Sequence, residues 1–263
     1  MTASPKDLKT IVKHKYSEIA QQNTPGCCGP DDCCGSDDAI NIMDKSYEGL
    51  EGYNPDADLK LGCGIPIDHA GLQEGQRVLD LGSGAGNDLF VARRIVGDSG
   101  WLTGIDFSDE MNEKAEANRR KMGYTNMEFL SGDIEAMPLS DQAYDVVLSN
   151  CVLNLVPDKQ AAYSEIFRVL KPGGHFTISD IVTEGVMDEQ LKQSAELYAG
   201  CITGAIGKSE YLDIVKQTGF ERVEVKEERN IAIPQDWLNK YAGPGYSADD
   251  IQIQSVTVIG FKP

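Results

Sequence analysis

No run in this chain approaches the roughly 18 consecutive apolar residues of a membrane-spanning helix, so a helical anchor within it is not expected. Its first residues, Met1-Thr-Ala-Ser-Pro-Lys-Asp7, lack the charged and then apolar order of a secretory signal, which points to a soluble cytoplasmic protein. Positive charge is scarce: 24 Lys and Arg face 42 Asp and Glu, a net charge of -18. A surface this acidic repels phosphate backbones and anionic membranes, so neither nucleic acid nor membrane is an expected partner. The plain reading of the charge is solubility. Histidine is scarce too, and His14, His69 and His175 sit in no catalytic motif. Internal repeats are absent. Cysteine breaks the pattern. There are seven, an odd number, in a chain of 263 residues with 41% apolar content. A chain of that length builds its own core and does not need disulfide staples. Metal, metalloid or redox chemistry is the better reading of these thiols.

The apolar periodicity predicts a helix over 6–22, carried by Leu8, Ile11, Val12, Tyr16 and Ile19 and stopped by Pro25 and Gly26. Residues 25–38 hold no large aliphatic or aromatic side chain and read as a loop. From Arg77 the pattern alternates. Strands are expected at 78–81, 101–106, 127–130, 146–149 and 175–182, and helices at 87–96, 109–122 and 159–170. That alternation argues for a parallel α/β sheet covered on both faces. Lys171-Pro-Gly-Gly174 reads as a turn between helix and strand. After Val182 the rhythm changes. A helix and a loop carrying Cys201 are expected within 184–206, a helix at 209–218, and closing strands at 220–225 and 253–261. Pro234, Gly243, Pro244 and Gly245 suggest a loop beside a short helix in 231–250.

Val78-Leu-Asp-Leu-Gly-Ser-Gly-Ala-Gly86 follows the first of these strands and opens a helix. Glycine permits a sharp turn and close backbone approach to a ligand, and the helix start offers N–H groups to an anion. Asn87 stands where a dinucleotide fingerprint wants glycine, which disfavours a nicotinamide dehydrogenase. Asp80 precedes the loop and can bind an ammonium group. Asp106 ends the second strand, where a carboxylate can hold ribose hydroxyls, and Gly132-Asp-Ile-Glu135 can frame an adenine. With Lys171-Pro-Gly-Gly174, the set over roughly 60–225 resembles the S-adenosylmethionine-dependent class I methyltransferases. The resemblance implies a Rossmann-like, mostly parallel seven-stranded sheet. It also implies donor contacts from Asp80, Gly82, Ser83, Gly84, Gly86, Asp106, Phe107, Met111, Asp133, Ile134, Glu135 and Asn150.

The acceptor side departs from amine chemistry. Many amino-group methyltransferases carry Asn/Asp-Pro-Pro-aromatic after the fourth strand, where this chain has Asn150-Cys-Val-Leu-Asn-Leu155. An acceptor that needs no base fits better. Trivalent arsenic has a lone pair, and soft thiolates select soft ions. Three thiolates hold it in a trigonal pyramid with the lone pair pointing away from the sulfurs, so methyl transfer needs only alignment at about 3–3.5 Å. Cys63 precedes the first strand, Cys151 follows the fourth, and Cys201 lies in the insertion after the fifth. Ligands bind at the C-terminal edge of such sheets. Leu61-Gly-Cys-Gly64, Ser149-Asn-Cys-Val-Leu-Asn154, Phe167-Arg-Val-Leu-Lys-Pro-Gly-Gly174 and Tyr198-Ala-Gly-Cys-Ile-Thr-Gly-Ala205, with the glycine loop, closely resemble the arsenite methyltransferase family. Ile65 departs from it, since the family commonly has asparagine there. The resemblance implies Cys63, Cys151 and Cys201 as arsenic ligands, sequential methylation in arsenic detoxification, and glutathione or thioredoxin as reductant.

It also implies a part for an N-terminal cysteine. Cys27-Cys28 and Cys33-Cys34 are vicinal pairs, which suit a zinc site poorly. An arm that delivers arsenic, a thiol that exchanges with Cys63 during turnover, and an inert loop all stay open, with Cys28 or Cys34 the preferred redox partner. The expected division is an N-terminal helix and Cys-rich arm at 1–59, a donor-binding domain at 60–183, and an α+β arsenic-binding and closing segment at 184–263. A methyltransferase for a quinone or other small carbon acceptor would not need the three cysteines together. A non-catalytic arsenic or metal thiol sensor would not need the glycine loop.

Overall fold

The computed structural model describes residues 5–22, 45–185, 187, 191, 204–233, 235–242, 246–247 and 250–263. Cys27, Cys28, Cys33, Cys34 and Cys201, and most of the helix expected within 184–206, lie outside the described residues. In chain order the elements are α1 (Pro5–Gln22), a single turn α2 (Ile67–Ala70), β1 (Arg77–Leu81), α3 (Asn87–Val96), β2 (Trp101–Asp106), α4 (Asp109–Met122), β3 (Met127–Ser131), β4 (Tyr144–Asn150), α5 (Lys159–Val169), β5 (Leu170–Gly185), α6 (Lys208–Gln217), β6 (Glu221–Ile231), α7 (Gln235–Tyr241) and β7 (Ile251–Phe261). The seven strands form one sheet in the order β3-β2-β1-β4-β5-β7-β6. β1 to β5 are parallel, and β7 inserts antiparallel between β5 and β6.

The burial of each strand follows its place. β1 and β2 are buried at nearly every position, because helices cover both faces of the sheet there. β6 lies on an edge and alternates exposed with half-buried residues, and its charges in Glu221-Arg-Val-Glu-Val-Lys-Glu-Glu-Arg229 blunt that edge. Two apolar layers sandwich the sheet. One packs α5 and α6 on β4 and β5 through Tyr163, Ile166, Val215 and Phe176. The other packs α2 and α3 on β1 and β2 through Ile67, Leu89, Phe90 and Leu102. A third cluster sits apart from both and contains Cys63, Cys151, Ile181, Ile231 and Val12.

Helix ends are set locally. Ser108 caps α4 by accepting the Met111 N–H at 3.3 Å, and Asp158 caps α5 by accepting the Ala161 N–H at 2.9 Å. Lys171-Pro-Gly-Gly174 is not a separate turn, contrary to its sequence reading. Leu170 pairs with Tyr144 and His175 with Val146, so the four residues bulge out of a strand that starts straight after α5. The Gly173 N–H donates to the Lys262 carbonyl at 3.0 Å, which ties the bulge to the last strand. β5, β6 and β7 also run longer than expected, because they pair with one another over nearly their full length.

Phe176 is fully buried, with its ring edge-on to Phe220 at 4.8 Å and to Tyr163 at 5.7 Å. Phe176→Ala is expected to cost about 3–5 kcal/mol, the range for emptying a buried aromatic site. A fall in the urea unfolding midpoint at unchanged slope measures it.

Candidate active site

The chain runs outward from β1 through β2 to β3 and then returns to place β4 on the other side of β1. That reversal opens a crevice beyond the carboxyl ends of β1 and β4, where ligands of open α/β sheets sit. A cleft enclosing about 1150 Å³ of empty space, its mouth included, occupies this place. Asp80, Gly82, Ser83 and Gly84 form one wall, Asp106, Phe107, Asp133 and Ile134 a second, and Asn150 and Cys151 a third. The structure thus brings together ten of the positions singled out in the sequence.

Four other described positions stand outside these walls: Cys63, treated below, and Gly86, Met111 and Glu135. Gly86 caps α3 at φ 95°, and a Cβ there would lie 2.9 Å from the Phe129 ring and 3.0 Å from that of Phe90. Its role is close packing of the helix on the sheet. Met111 is fully buried beneath the start of α4. Glu135 accepts the Asp158 N–H at 2.6 Å and pairs with Lys9.

The cleft is acidic inside. Asp80, Asp88 and Asp106 are all buried. Burial raises the Asp80 carboxyl well above its ordinary value, with Asp88 and Asp106 adding to the effect. Burial also lifts Asp106 to about 6, although it accepts the Gly84 N–H at 3.0 Å and the Ser108 N–H at 2.9 Å. Buried hydroxyl and amide oxygens normally find a partner. Ser83 Oγ and Asn87 Oδ1 have none among the described residues, and both residues line the cleft. Unpaired polar atoms, buried carboxylates and the amino end of α3 together suit a ligand with a cationic centre, an anionic group and hydroxyls. S-adenosylmethionine has all three.

The cysteine side is built from close backbone approach. The Cys63 loop lies against the sheet, where a Cβ on Gly62 would come 2.7 Å from Asn150 Nδ2 and one on Gly64 2.5 Å from Ser179 Oγ. Glycine on both sides of Cys63 is therefore a packing requirement. Ser255 Oγ and Arg229 hold the Cys63 carbonyl at 2.6 and 3.2 Å. Cys151 takes up a left-handed backbone at φ 61°, unusual for a residue with a side chain, and donates its N–H to the Ser179 carbonyl at 2.8 Å. Both thiols are buried in the same apolar cluster.

Several contributors were not read from the sequence. α1 covers the cleft, with Lys9, Val12 and Tyr16 in its wall. Lys9 reaches Asp133 at 2.6 Å, and Lys13 reaches Asp109 at 3.2 Å. Two lysines four apart on one helix, in so acidic a chain, were the signal for this docking. Tyr47 and Asp88 also line the cleft, and the Tyr47 hydroxyl donates to Asp88 at 2.6 Å. No helix among the described residues is long and apolar enough to cross a membrane.

Comparison with known proteins agrees with this geometry. A methyltransferase-domain family model matches residues 72–219. The arsenite methyltransferase of Halobacterium salinarum is 35% identical over 245 residues, covering 89% of this chain and 62% of the relative. That of Aquipseudomonas alcaligenes is 34% identical over 251 residues, covering 90% of this chain and 69% of the relative. Among solved structures, CrArsM, an arsenic (III) S-adenosylmethionine methyltransferase from Chlamydomonas reinhardtii, superposes with a TM-score of 0.67 at 33% identity, covering 85% of this chain and 73% of that one. The fold and the cleft define a class I S-adenosylmethionine methyltransferase. Within that class the chain belongs to the arsenite methyltransferase family, and it spans roughly two thirds of the length of these two sequence relatives.

The buried carboxylates set a pH dependence. Burial holds Asp88 and Asp106 at about 6 and Asp180 at about 7, above the ordinary value of 3.8. A carboxyl raised in the folded state binds its proton there before it does in the unfolded chain, so ionising it costs stability. That cost is full above pH 7 and is relieved as pH falls through 7 to 5. The ligand-free protein is therefore expected to melt at a higher temperature at pH 5.5 than at pH 7.5. Asp180→Asn should flatten the rise. A melting temperature that falls steadily over this window would contradict the assignment.

Proposed function

We propose that this chain transfers a methyl group from S-adenosylmethionine to trivalent arsenic held by thiolates, first as arsenite and then as methylarsenite. The observation that carries the reading is the placement of Cys151, strained and buried, in the wall of a cleft whose other walls suit the methyl donor. Cys63 shares its apolar cluster, and Cys201 is proposed as the third ligand from its sequence context.

The donor, when bound, supplies a methyl group on a sulfonium that is already a good leaving group. The residues have three tasks. Asp80 faces the cationic end, the start of α3 faces the carboxylate, and Asp106 retains lone pairs for ribose hydroxyls beyond the backbone N–H groups it accepts from Gly84, Ser108 and Phe107. The thiolates of Cys63, Cys151 and Cys201 fix arsenic with its lone pair outward. Val12, Tyr16 and Phe107 exclude water from the space between. The arsenic lone pair forms the new As–C bond as the methyl–sulfur bond breaks, and the bonding pair leaves on sulfur. Arsenic is formally oxidised by two electrons. A thiol reductant of the glutathione or thioredoxin class returns them as its own sulfurs join in a disulfide. The N-terminal cysteines, Cys28 or Cys34 foremost, are proposed to relay that exchange to Cys63. A cytoplasmic setting, which keeps these thiols reduced, belongs to the same reading.

The test incubates purified protein with arsenite, labelled donor and thiol, and separates the arsenic species by chromatography. Methylated arsenic is expected, and Cys151→Ser should abolish it. Asp106→Ala should lose activity while still binding arsenite. Absence of product despite tight donor binding would overturn the arsenic reading in favour of a carbon acceptor. Arsenous acid offers three exchangeable positions and methylarsenite two. Cys63→Ser should therefore suppress the first methylation more than the second, whereas Cys151→Ser and Cys201→Ser should stop both. Equal loss of both steps in all three variants would reject that division of labour.

A further inference from the structure

Asn150 ends β4 and lines the cleft, but its hydrogen bonds point at the cysteine loop. Its Oδ1 accepts the Cys63 N–H at 3.0 Å and the Gly64 N–H at 3.3 Å. Its Nδ2 donates to the Gly64 carbonyl at 2.9 Å and to the Tyr47 hydroxyl at 2.8 Å. These partners fix the orientation of the amide, since the oxygen meets two donors and the nitrogen meets acceptors. The Tyr47 hydroxyl donates in turn to Asp88 at 2.6 Å, in the first turn of α3 straight after the glycine loop. Cys63, Tyr47 and Asp88 are buried and Asn150 is half-buried; Asn150 also donates directly to Asp88 at 3.4 Å, and Asn150, Tyr47 and Asp88 line the donor cleft beside Gly62.

We propose that Asn150, oriented by Tyr47 and Asp88, is a positioning residue that latches the Cys63 loop shut and makes that latch respond to occupancy of the donor cleft. A ligand seated against Tyr47, Asp88 and Asn150 packs on the latched arrangement and favours it over the opened one. Linkage then requires that the loop close more firmly when the cleft is filled. Cys63 is fully buried when latched, so its sulfur reacts with a reagent only when the loop opens. The role deepens the reading of the cleft as a donor site and rests on that reading. It does not depend on arsenic as the acceptor.

The test is alkylation of Cys63, which is not in the wall of the cleft, by N-ethylmaleimide, followed peptide by peptide by mass spectrometry, with Cys151 as internal reference in the probe-free samples. S-adenosylhomocysteine is the probe of the cleft, and its binding is measured by calorimetry on the same samples. In the wild type, the probe should slow Cys63 labelling about tenfold relative to the same protein without the probe, the response to one hydrogen bond's net worth. Asn150→Ala should speed Cys63 labelling by about the same factor without the probe. Tyr47→Phe keeps the ring and removes the hydroxyl between Asn150 and Asp88, leaving only their direct contact at 3.4 Å; with the probe raised to saturation, as calorimetry on the variant defines it, most of the protection should be lost. A merely structural role would speed both cysteines together and leave the effect of the probe intact. Full protection in Tyr47→Phe, or none in a wild type that binds the probe, overturns the proposal. A wild type that does not bind the probe overturns the donor reading, and the proposal with it.

Discussion

The parallel pairing of β1 with β4 is the constraint from which the site follows. Asp80 lies beside Leu148 and Leu81 beside Ser149, so the glycine loop leaving one strand and Asn150-Cys151 leaving the other emerge side by side. Chain order separates them by nearly seventy residues, and the reversal of strand order at this seam brings them together. The residues proposed for donor binding and the proposed arsenic ligand Cys151 therefore share one crevice without any element having to bend toward it. The Cys63 loop arrives from outside the sheet and must be fastened there. Its fastenings come from β4, β6 and β7, through Asn150, Arg229 and Ser255. The antiparallel insertion of β7 thus closes the sheet and also supplies a clamp for the thiol loop.

Much of the sheet was legible because fully buried strands and amphipathic helices carry strong periodic signals. α3 and α4 span 87–96 and 109–122, the bounds expected from the alternating pattern. The Lys171-Pro-Gly-Gly174 bulge was misread because proline and glycine announce a turn but do not say whether a partner strand resumes beyond it. The lengths of β6 and β7 were underestimated for a related reason. The strand expected for β6 stopped at Val225, because Lys226-Glu-Glu-Arg229 carries no apolar alternation, and it is an antiparallel neighbour that continues the pairing there.

The site divides in the same way. Positions whose function lies in the backbone, such as Gly82 and Gly84 after β1, were readable from composition and spacing. Tyr47 and Asp88 were not, because nothing local distinguishes a tyrosine that meets an aspartate forty-one positions away from one that packs against core. Asn150 was readable as a cleft residue. Its hydrogen bonds to Cys63 and Gly64 depend on how an irregular loop crosses a strand end, which periodicity does not encode.

The acidity of the chain takes on a second meaning inside the cleft. Buried carboxylates are tolerated when paired, and they are costly otherwise. Asp80, Asp88 and Asp106 are gathered within one crevice, and burial raises all three. Lys9 and Lys13 of α1 engage Asp133 and Asp109 at the rim, while inside Asp88 is held by Tyr47 and Asn150 and Asp106 by the Gly84 and Ser108 N–H groups. Burial still outweighs those hydrogen bonds, so a cationic ligand would meet carboxylates whose charged form it favours. Asp88 also accepts from Tyr47 at 2.6 Å and from Asn150 at 3.4 Å, so under the proposed latch a ligand in the cleft and the Cys63 loop would act on one hydrogen-bonded cluster.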